Sequence, residues 1–295
     1  MKEAFTAWRP REDTIVRVVQ CAKIIEEYQA QGLVLTLRQL FYQLVSRDLI
    51  SNTERSYKTL GTIVGKARMA GYLDWDAIED RGRRPDTPNQ FTGLDHLVEV
   101  ALRAYRLDRW KGQETYTELW VEKSALAGVL EPMASRYHVT LMVNKGYSSL
   151  SAMYESAQRI VRNAEDKDGA VIFYLGDHDP SGNDMVRDIR DRLNTFAFDK
   201  MACDIEVKKI ALTMDQIEEY NPPPNPTKLT DSRALDYIRK YGRECWEVDA
   251  LDPATLQAII ADALESVVDM DLMEEIKEQE ERDKKRLRRT VKELS

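Results

Sequence analysis

Three acidic residues stand directly after short apolar runs: Glu122 follows TELWV, and Asp177 and Asp179 follow AVIFYLG in the text YLGDHDPSG. An Asp-x-Asp pair after an apolar strand directs two carboxylates to the same side of a turn, where hard oxygen ligands suit Mg2+. The flanking Gly176 and Gly182 let phosphate or water approach the backbone. A lone Asp-x-Asp is more often plain turn chemistry, but Glu122 at a neighbouring strand end tips the balance toward a site. A second group lies far upstream. Arg38 and Tyr42, in RQLFY, are four residues apart and share one helix face. The plain structural reading makes Tyr42 a core aromatic, packed inward with Leu37, Leu40, Phe41 and Leu44.

The elements that must carry these residues follow from the apolar periodicity. From Thr117 onward short apolar runs alternate with helical patterns: TELWVE then KSALAGVLEPMASRY, VTLMVN then SSLSAMYESAQRIVRNA, AVIFYLG then GNDMVRDIRDRLNTF, with IEVKKIAL as a candidate fourth strand. Strands alternating with helices mean βαβ units and a mainly parallel sheet, and ligands collect at the carboxyl ends of such strands. Those ends carry Glu122-Lys123, Asn144-Lys145-Gly146 and the Gly176 to Gly182 turn. Upstream, Ile15 to Gln29 has helical spacing, Thr36 can cap a second helix and Ser56 a third. The charged DWDAIEDRGRRPD then fits a small hairpin. Helix, helix, helix, wing is the order of a winged-helix DNA-binding module; any three-helix bundle is the alternative. Phe91 to Glu114 reads as a linking helix and loop. The prolines of NPPPNPTK, Asn221 to Lys228, exclude regular structure there. Leu256 to Ser266 is apolar enough to pack, while Glu274 to Leu294 reads as a solvated helix laced with i,i+4 ion pairs.

Composition bounds the answer. The 295 residues suffice for two domains, and 43% hydrophobic content supplies real cores. No stretch approaches the ~20 apolar residues that span a bilayer, and the first residues are too polar and acidic for a signal peptide, so no membrane partner and a cytoplasmic location are expected. Cys21, Cys203 and Cys245 are widely spaced, which argues against a disulfide framework or a structural zinc and leaves buried free thiols. Net charge is -8, yet residues 1–110 hold 17 basic against 15 acidic side chains, and the remainder holds 26 against 36. The N-terminal part is therefore the polyanion-facing one.

WVEKSAL, NKGYSSL and YLGDHDPSG, in this order and spacing, resemble the TOPRIM motifs of topoisomerases, and most closely those of the topoisomerase VI A-subunit family and its meiotic double-strand-break relatives. The resemblance covers roughly residues 117–198, and the Arg38 to Tyr42 text extends it upstream. It implies an α/β chain with a winged-helix (5Y-CAP-like) domain over 1–90, a linker over 91–116, a TOPRIM domain over 117–255 and a C-terminal helical extension over 256–295. It implies Tyr42 as DNA-cleaving nucleophile aided by Arg38, and Mg2+ held by Glu122, Asp177 and Asp179, with Glu122 also an acid or base. Double-stranded DNA would be the substrate. It further implies a type IIB topoisomerase-like homodimer, an isomerase-class DNA strand transesterase in which the tyrosine of one subunit meets the acids of its twin, in a nucleoid-associated protein of prokaryotic, phage or plasmid origin. Attack would give a phosphotyrosine bond and a free deoxyribose hydroxyl, and religation needs no ATP because one phosphodiester replaces another.

Candidate DNA contacts are Lys58, Lys66 and Arg68 on the third helix, Arg81, Arg83 and Arg84 in the wing, and Lys123 and Lys145 at strand ends. His178 points away from the flanking acids if the turn is extended and receives no role; His96 and His138 read as surface residues. The chain departs from the A-subunit pattern in being shorter and in having Ser-Ser after NKGY, and it shows no ATP-binding signature. Strand passage would need a separate ATPase (B-type) subunit; without one the chain would cut or nick only. The region 211–253, with WEVDALDP, receives no chemical role. Two rival functions stand beside the transesterase: a TOPRIM nuclease using metal-bound water, with Tyr42 structural, and a non-catalytic DNA-binding assembly component.

Overall fold

The computed structural model describes residues 2–78, 90–144, 146–201 and 204–294. Its centre is a four-stranded sheet formed by β1 (Thr115–Val121), β2 (Thr140–Val143), β3 (Gly169–Leu175) and β4 (Ile205–Ala211), in the order β2-β1-β3-β4 with every pair parallel. β1 and β3 are buried on both faces, as strands covered on both sides must be. One face carries Leu119, Val121, Phe173 and Leu175 into a core with helices α5 (Ala127–Tyr137) and α10 (Pro253–Glu265). The other carries Trp120, Ile172 and Tyr174 against α6 (Leu150–Asn163) and α7 (Pro180–Ala197). Because all four strands run the same way, Glu122 and the Asp177 turn emerge at one edge of the sheet.

Upstream, α1 (Glu12–Gln29), α2 (Leu37–Ser46) and α3 (Glu54–Met69) enclose a separate core. Thr36 caps α2 as expected, in a capping box: its Oγ1 accepts the Gln39 N–H and the Gln39 side chain accepts the Thr36 N–H. The third helix begins earlier than its sequence suggests. Thr53 is the cap, accepting the Ser56 N–H, so Ser56 sits inside the first turn. After α3 comes a 3-10 turn, Trp75–Ala77, and a parallel bridge from Leu35 to Ile78; the expected wing, with Arg81, Arg83 and Arg84, lies outside the described residues. α4 (Leu94–Ala104) fills the linking segment.

Two further expectations are corrected. The proline-rich loop contains a short strand, β5 (Asn225–Pro226), paired antiparallel with β6 (Glu244–Cys245) after α8 (Met214–Tyr220) and around α9 (Ala234–Tyr241); proline is tolerated at an edge that needs no donor from it. The final helix, α11 (Met270–Leu294), is not wholly solvated. Its Met273 is fully buried and its Glu280 is 1% exposed, held by Arg109 through Nε at 3.0 Å and a terminal nitrogen at 2.9 Å. Cys21 is a buried free thiol and Cys245 a half-buried one, while Cys203 lies outside the described residues. Among the described residues no helix is long and apolar enough to cross a membrane.

Candidate active site

The Asp-x-Asp turn is built by constraint at every residue. Gly176 continues β3 by donating to Ala211 O at 2.8 Å and accepting from the Leu212 N–H at 2.8 Å. Asp179 caps α7, its Oδ1 accepting the Gly182 N–H at 2.6 Å and Ser181 Oγ at 3.0 Å, and Pro180 follows at the first helical position, where a missing donor costs nothing. Gly182 has no substitute here, since a Cβ would stand 2.3 Å from Asp177 O. His178 does turn away from the acids, and it is far from idle. Its backbone pairs with Trp246 in both directions, at 2.8 and 3.0 Å, and its buried ring nitrogen Nδ1 lies 2.8 Å from Tyr237 Oη. Burial lowers its imidazole to about 4. His178 thus fastens the acidic turn to the β5–β6 insertion.

Asp177 is 7% exposed and fully engaged: Oδ1 accepts the Val248 N–H at 2.9 Å, Oδ2 lies 2.8 Å from Lys123 Nζ, its N–H donates to Glu122 Oε2 at 3.2 Å, and its carbonyl accepts Lys209 Nζ at 2.7 Å. Burial pushes its carboxyl up to about 6, with Glu122 adding and Lys123 opposing. Lys123, expected on DNA, instead faces carboxylates: besides Asp177, Glu247 Oε2 is at 2.7 Å and Asp249 Oδ1 at 3.2 Å. Burial works against its ammonium, but Asp249, Asp177 and Glu247 together hold it charged.

The same two acids hold Arg38. Its guanidinium pairs with Glu247, and its Nε is 3.1 Å from Asp249 Oδ2. Asp249, 1% exposed, is pushed up to about 6 by burial; in Glu247, Lys123 and Arg38 outweigh burial and hold the carboxyl down at about 2. The Arg38 guanidinium carbon is 5.9 Å from the centre of the Tyr42 ring. Tyr42 is 4% exposed, and burial, then Glu247 and Asp249, raise its phenol to about 12 against Arg38. Arg38, Tyr42, Asn52 and Lys58 line a cleft of about 430 Å3. It adjoins a groove of about 790 Å3 lined by Asp177, Asp179, Lys228 and Trp246, and Glu54, Asn225 and Glu247 line both.

The fold therefore brings Arg38, Tyr42, Glu122, Lys123, Asp177 and Asp179 to one region of a single chain. Of the other expected contacts, Lys58 lines the cleft beside Tyr42, while Lys66 and Arg68 do not. Arg68 donates to Trp75 O at 2.6 Å and stacks over that ring at 4.6 Å, so it braces the 3-10 turn. Lys58 is exposed and pairs with Glu54 at 2.7 Å; Lys66 is exposed on α3. Lys145 lies outside the described residues. Sequence reasoning passed over Glu247, Asp249, His178 and Lys209. Lys209 Nζ also reaches Asn183 Oδ1 at 2.8 Å, and burial lowers its ammonium to about 8 although Asp177, Asp179 and Glu122 oppose this. The alternation in IEVKKIAL, which sends Lys208 outward and Lys209 the other way, was the available sign.

The donor set does not fit the expected divalent-cation site as arranged. Both oxygens of Asp177 are occupied, by Val248 N–H and Lys123, and one oxygen of Asp179 caps α7. Among the described residues no group of three or more His, Cys, Asp or Glu side chains is placed to hold a metal ion. No protein-family model matches the chain, and no curated protein matches it.

Proposed function

We propose that the chain is a DNA-cleaving transesterase: a TOPRIM-type sheet and a winged-helix-type module, working as a homodimer on double-stranded DNA, with a topoisomerase VI A-like activity that extends to strand passage only with a separate ATPase subunit. One observation carries the reading. Arg38, Glu247, Asp249, Lys123 and Asp177 form a continuous ion-pair chain that joins the tyrosine helix to the acidic turn. In the reaction, Tyr42 Oη forms a bond to a backbone phosphorus, the phosphorus–oxygen bond to deoxyribose breaks, and the leaving oxygen takes up a proton. Tyr42 must first lose its proton. At an elevated pKa that needs a base or nearby positive charge, and Arg38 is the cation beside it. The outer edge of Arg38, whose side chain is 43% exposed, would bear on the phosphate. Mg2+ is the cofactor implied by the motifs, and no step of this reading is routed through it.

A second reading, hydrolysis by water with Tyr42 structural, draws support from the burial of that ring. Detergent quenching of a reaction with labelled plasmid separates the two. Label retained on wild-type protein and lost in Tyr42→Phe supports the transesterase; cleavage with no retained label refutes it.

A further inference from the structure

The segment Trp246 to Asp249 holds two acids that the reaction above does not use. We propose that Glu247 and Asp249 are positioning residues of the site, a carboxylate clamp that sets Arg38 on the tyrosine helix and Lys123 beside Asp177 at a fixed separation. The inference rests on the transesterase reading. Asp249 directs one oxygen to each cation, Oδ1 to Lys123 at 3.2 Å and Oδ2 to Arg38 Nε at 3.1 Å, while Glu247 Oε2 receives Lys123 at 2.7 Å and also Arg38. Asp249 Oδ2 lies within ion-pair distance of Arg38 but without hydrogen-bond alignment, so its attraction to the guanidinium is purely of charge.

Such an arrangement is a poor device for stability. A buried ion pair is often matched or bettered by apolar residues of similar volume, and the surrounding core offers ample apolar material. What the charges supply is a defined place for two cations. The clamp is itself anchored to the acidic turn by backbone: Val248 N–H donates to Asp177 Oδ1 at 2.9 Å, and Trp246 pairs with His178 in both directions. Arg38 is thereby held by its inner edge, and the 43% of its side chain that remains exposed is directed by the clamp.

The test uses the full chain with Glu247→Gln, Asp249→Asn, Arg38→Ala and the two doubles with Arg38→Ala, reading the rate of tyrosyl-DNA formation and duplex affinity. Glu247→Gln is the safer variant, because Glu247 is partly exposed. Each single acid variant should form adduct about 10- to 100-fold more slowly, the usual cost of losing an orienting partner, with duplex affinity unchanged. Either change added to Arg38→Ala should cost several-fold less than it does alone, since the part acting through the guanidinium is already lost and only the part acting through Lys123 remains. Full-rate acid variants, or losses that multiply with Arg38→Ala, overturn the clamp.

A wild-type protein that forms no adduct overturns the transesterase reading, and the clamp is then judged by a 13C NMR titration of the Tyr42 ring, assigned with Tyr42→Phe. The charged groups facing that ring are Arg38 on its own helix, Glu54 and Lys58 from α3, and Glu247 and Asp249. Removing either clamp charge should bring the phenol's titration down from about 12; an unmoved titration in both variants overturns the clamp.

Discussion

Replacing Lys123 by Met removes the one ammonium that three carboxylates share, leaving Glu247 and Asp249 with Arg38 and taking from Asp177 its 2.8 Å ion pair. Breaking a buried ion pair by deleting one partner costs about 3–5 kcal/mol, and the low exposure of Asp177 and Asp249, 7% and 1%, places this case in that range. The loss should also depend on pH. The Asp249 carboxyl is raised from 3.8 to about 6. A carboxyl raised in the folded state favours folding most below its unfolded pKa and loses that contribution as pH rises through its folded pKa. Without Lys123 the folded value moves higher still, so the variant is penalised most at pH 8 and relieved at pH 5, where Asp249 is protonated and no longer needs a cation. At about 1.4 kcal/mol per unit, a further rise of one to two units means that the deficit shrinks by roughly 1–3 kcal/mol between those pH values. Urea unfolding of wild type and Lys123→Met at pH 8 and pH 5 measures this directly. A deficit under about 1 kcal/mol at pH 8, the size of an exposed pair, or one that does not change with pH, would refute the buried-cluster argument.

Gly182→Ala should abolish DNA cleavage and alter the acidic turn while the sheet remains folded, because the new Cβ would stand 2.3 Å from Asp177 O; circular dichroism with an adduct assay checks both halves. Thr36→Ala, which removes the α2 capping box, should cost about 1 kcal/mol in urea unfolding. Mixing Tyr42→Phe with Asp177→Ala protein should restore single-strand nicking if the tyrosine acts on its twin's acids, since one of two composite sites is then intact. An inactive mixture in which mass spectrometry shows subunit exchange overturns the composite site: the tyrosine then acts within its own chain or is not the nucleophile.

Much of this arrangement was legible in the sequence because it is set by local rules. The strand-helix alternation after Thr117 gave the parallel sheet, and Thr36 with Gln39 carried a local capping code. The acids Glu122, Asp177 and Asp179 could be placed at one edge because parallel strands share their carboxyl ends. What escaped was everything set by distant packing. Glu247 and Asp249 are over 200 residues from Arg38 and over 120 from Lys123 in the chain, and no periodicity links them. Lys123 looked like a phosphate contact because its type and position suit one; only tertiary placement reveals three carboxylates around it. The proline-rich segment misled for a related reason, since its short strand exists by virtue of a partner contributed 20 residues later.

The same distant contacts bear on how the tyrosine module can work. Besides the Arg38 pairs, Tyr28 Oη donates to Asp252, Asn52 Nδ2 donates to Pro224 O and Asn225 Oδ1 at 3.1 Å each, and Ala250 packs into the core of the three N-terminal helices. The module is thus seated on its own chain's 224–252 segment, and that segment is hooked to the acidic turn through Trp246 and Val248. A module so seated cannot swing to a twin on the linker without giving up these contacts. If the reaction crosses a two-fold axis, the crossing must come from how two such assembled chains dock, with each keeping its own Arg38 clamp. Asn52 offers a way to separate the possibilities, because it touches the segment without belonging to the ion-pair chain: Asn52→Ala should loosen the seat and leave the charges alone. A reaction confined to one chain would then slow, while one that depends on docking two intact seats would also lose dimer affinity.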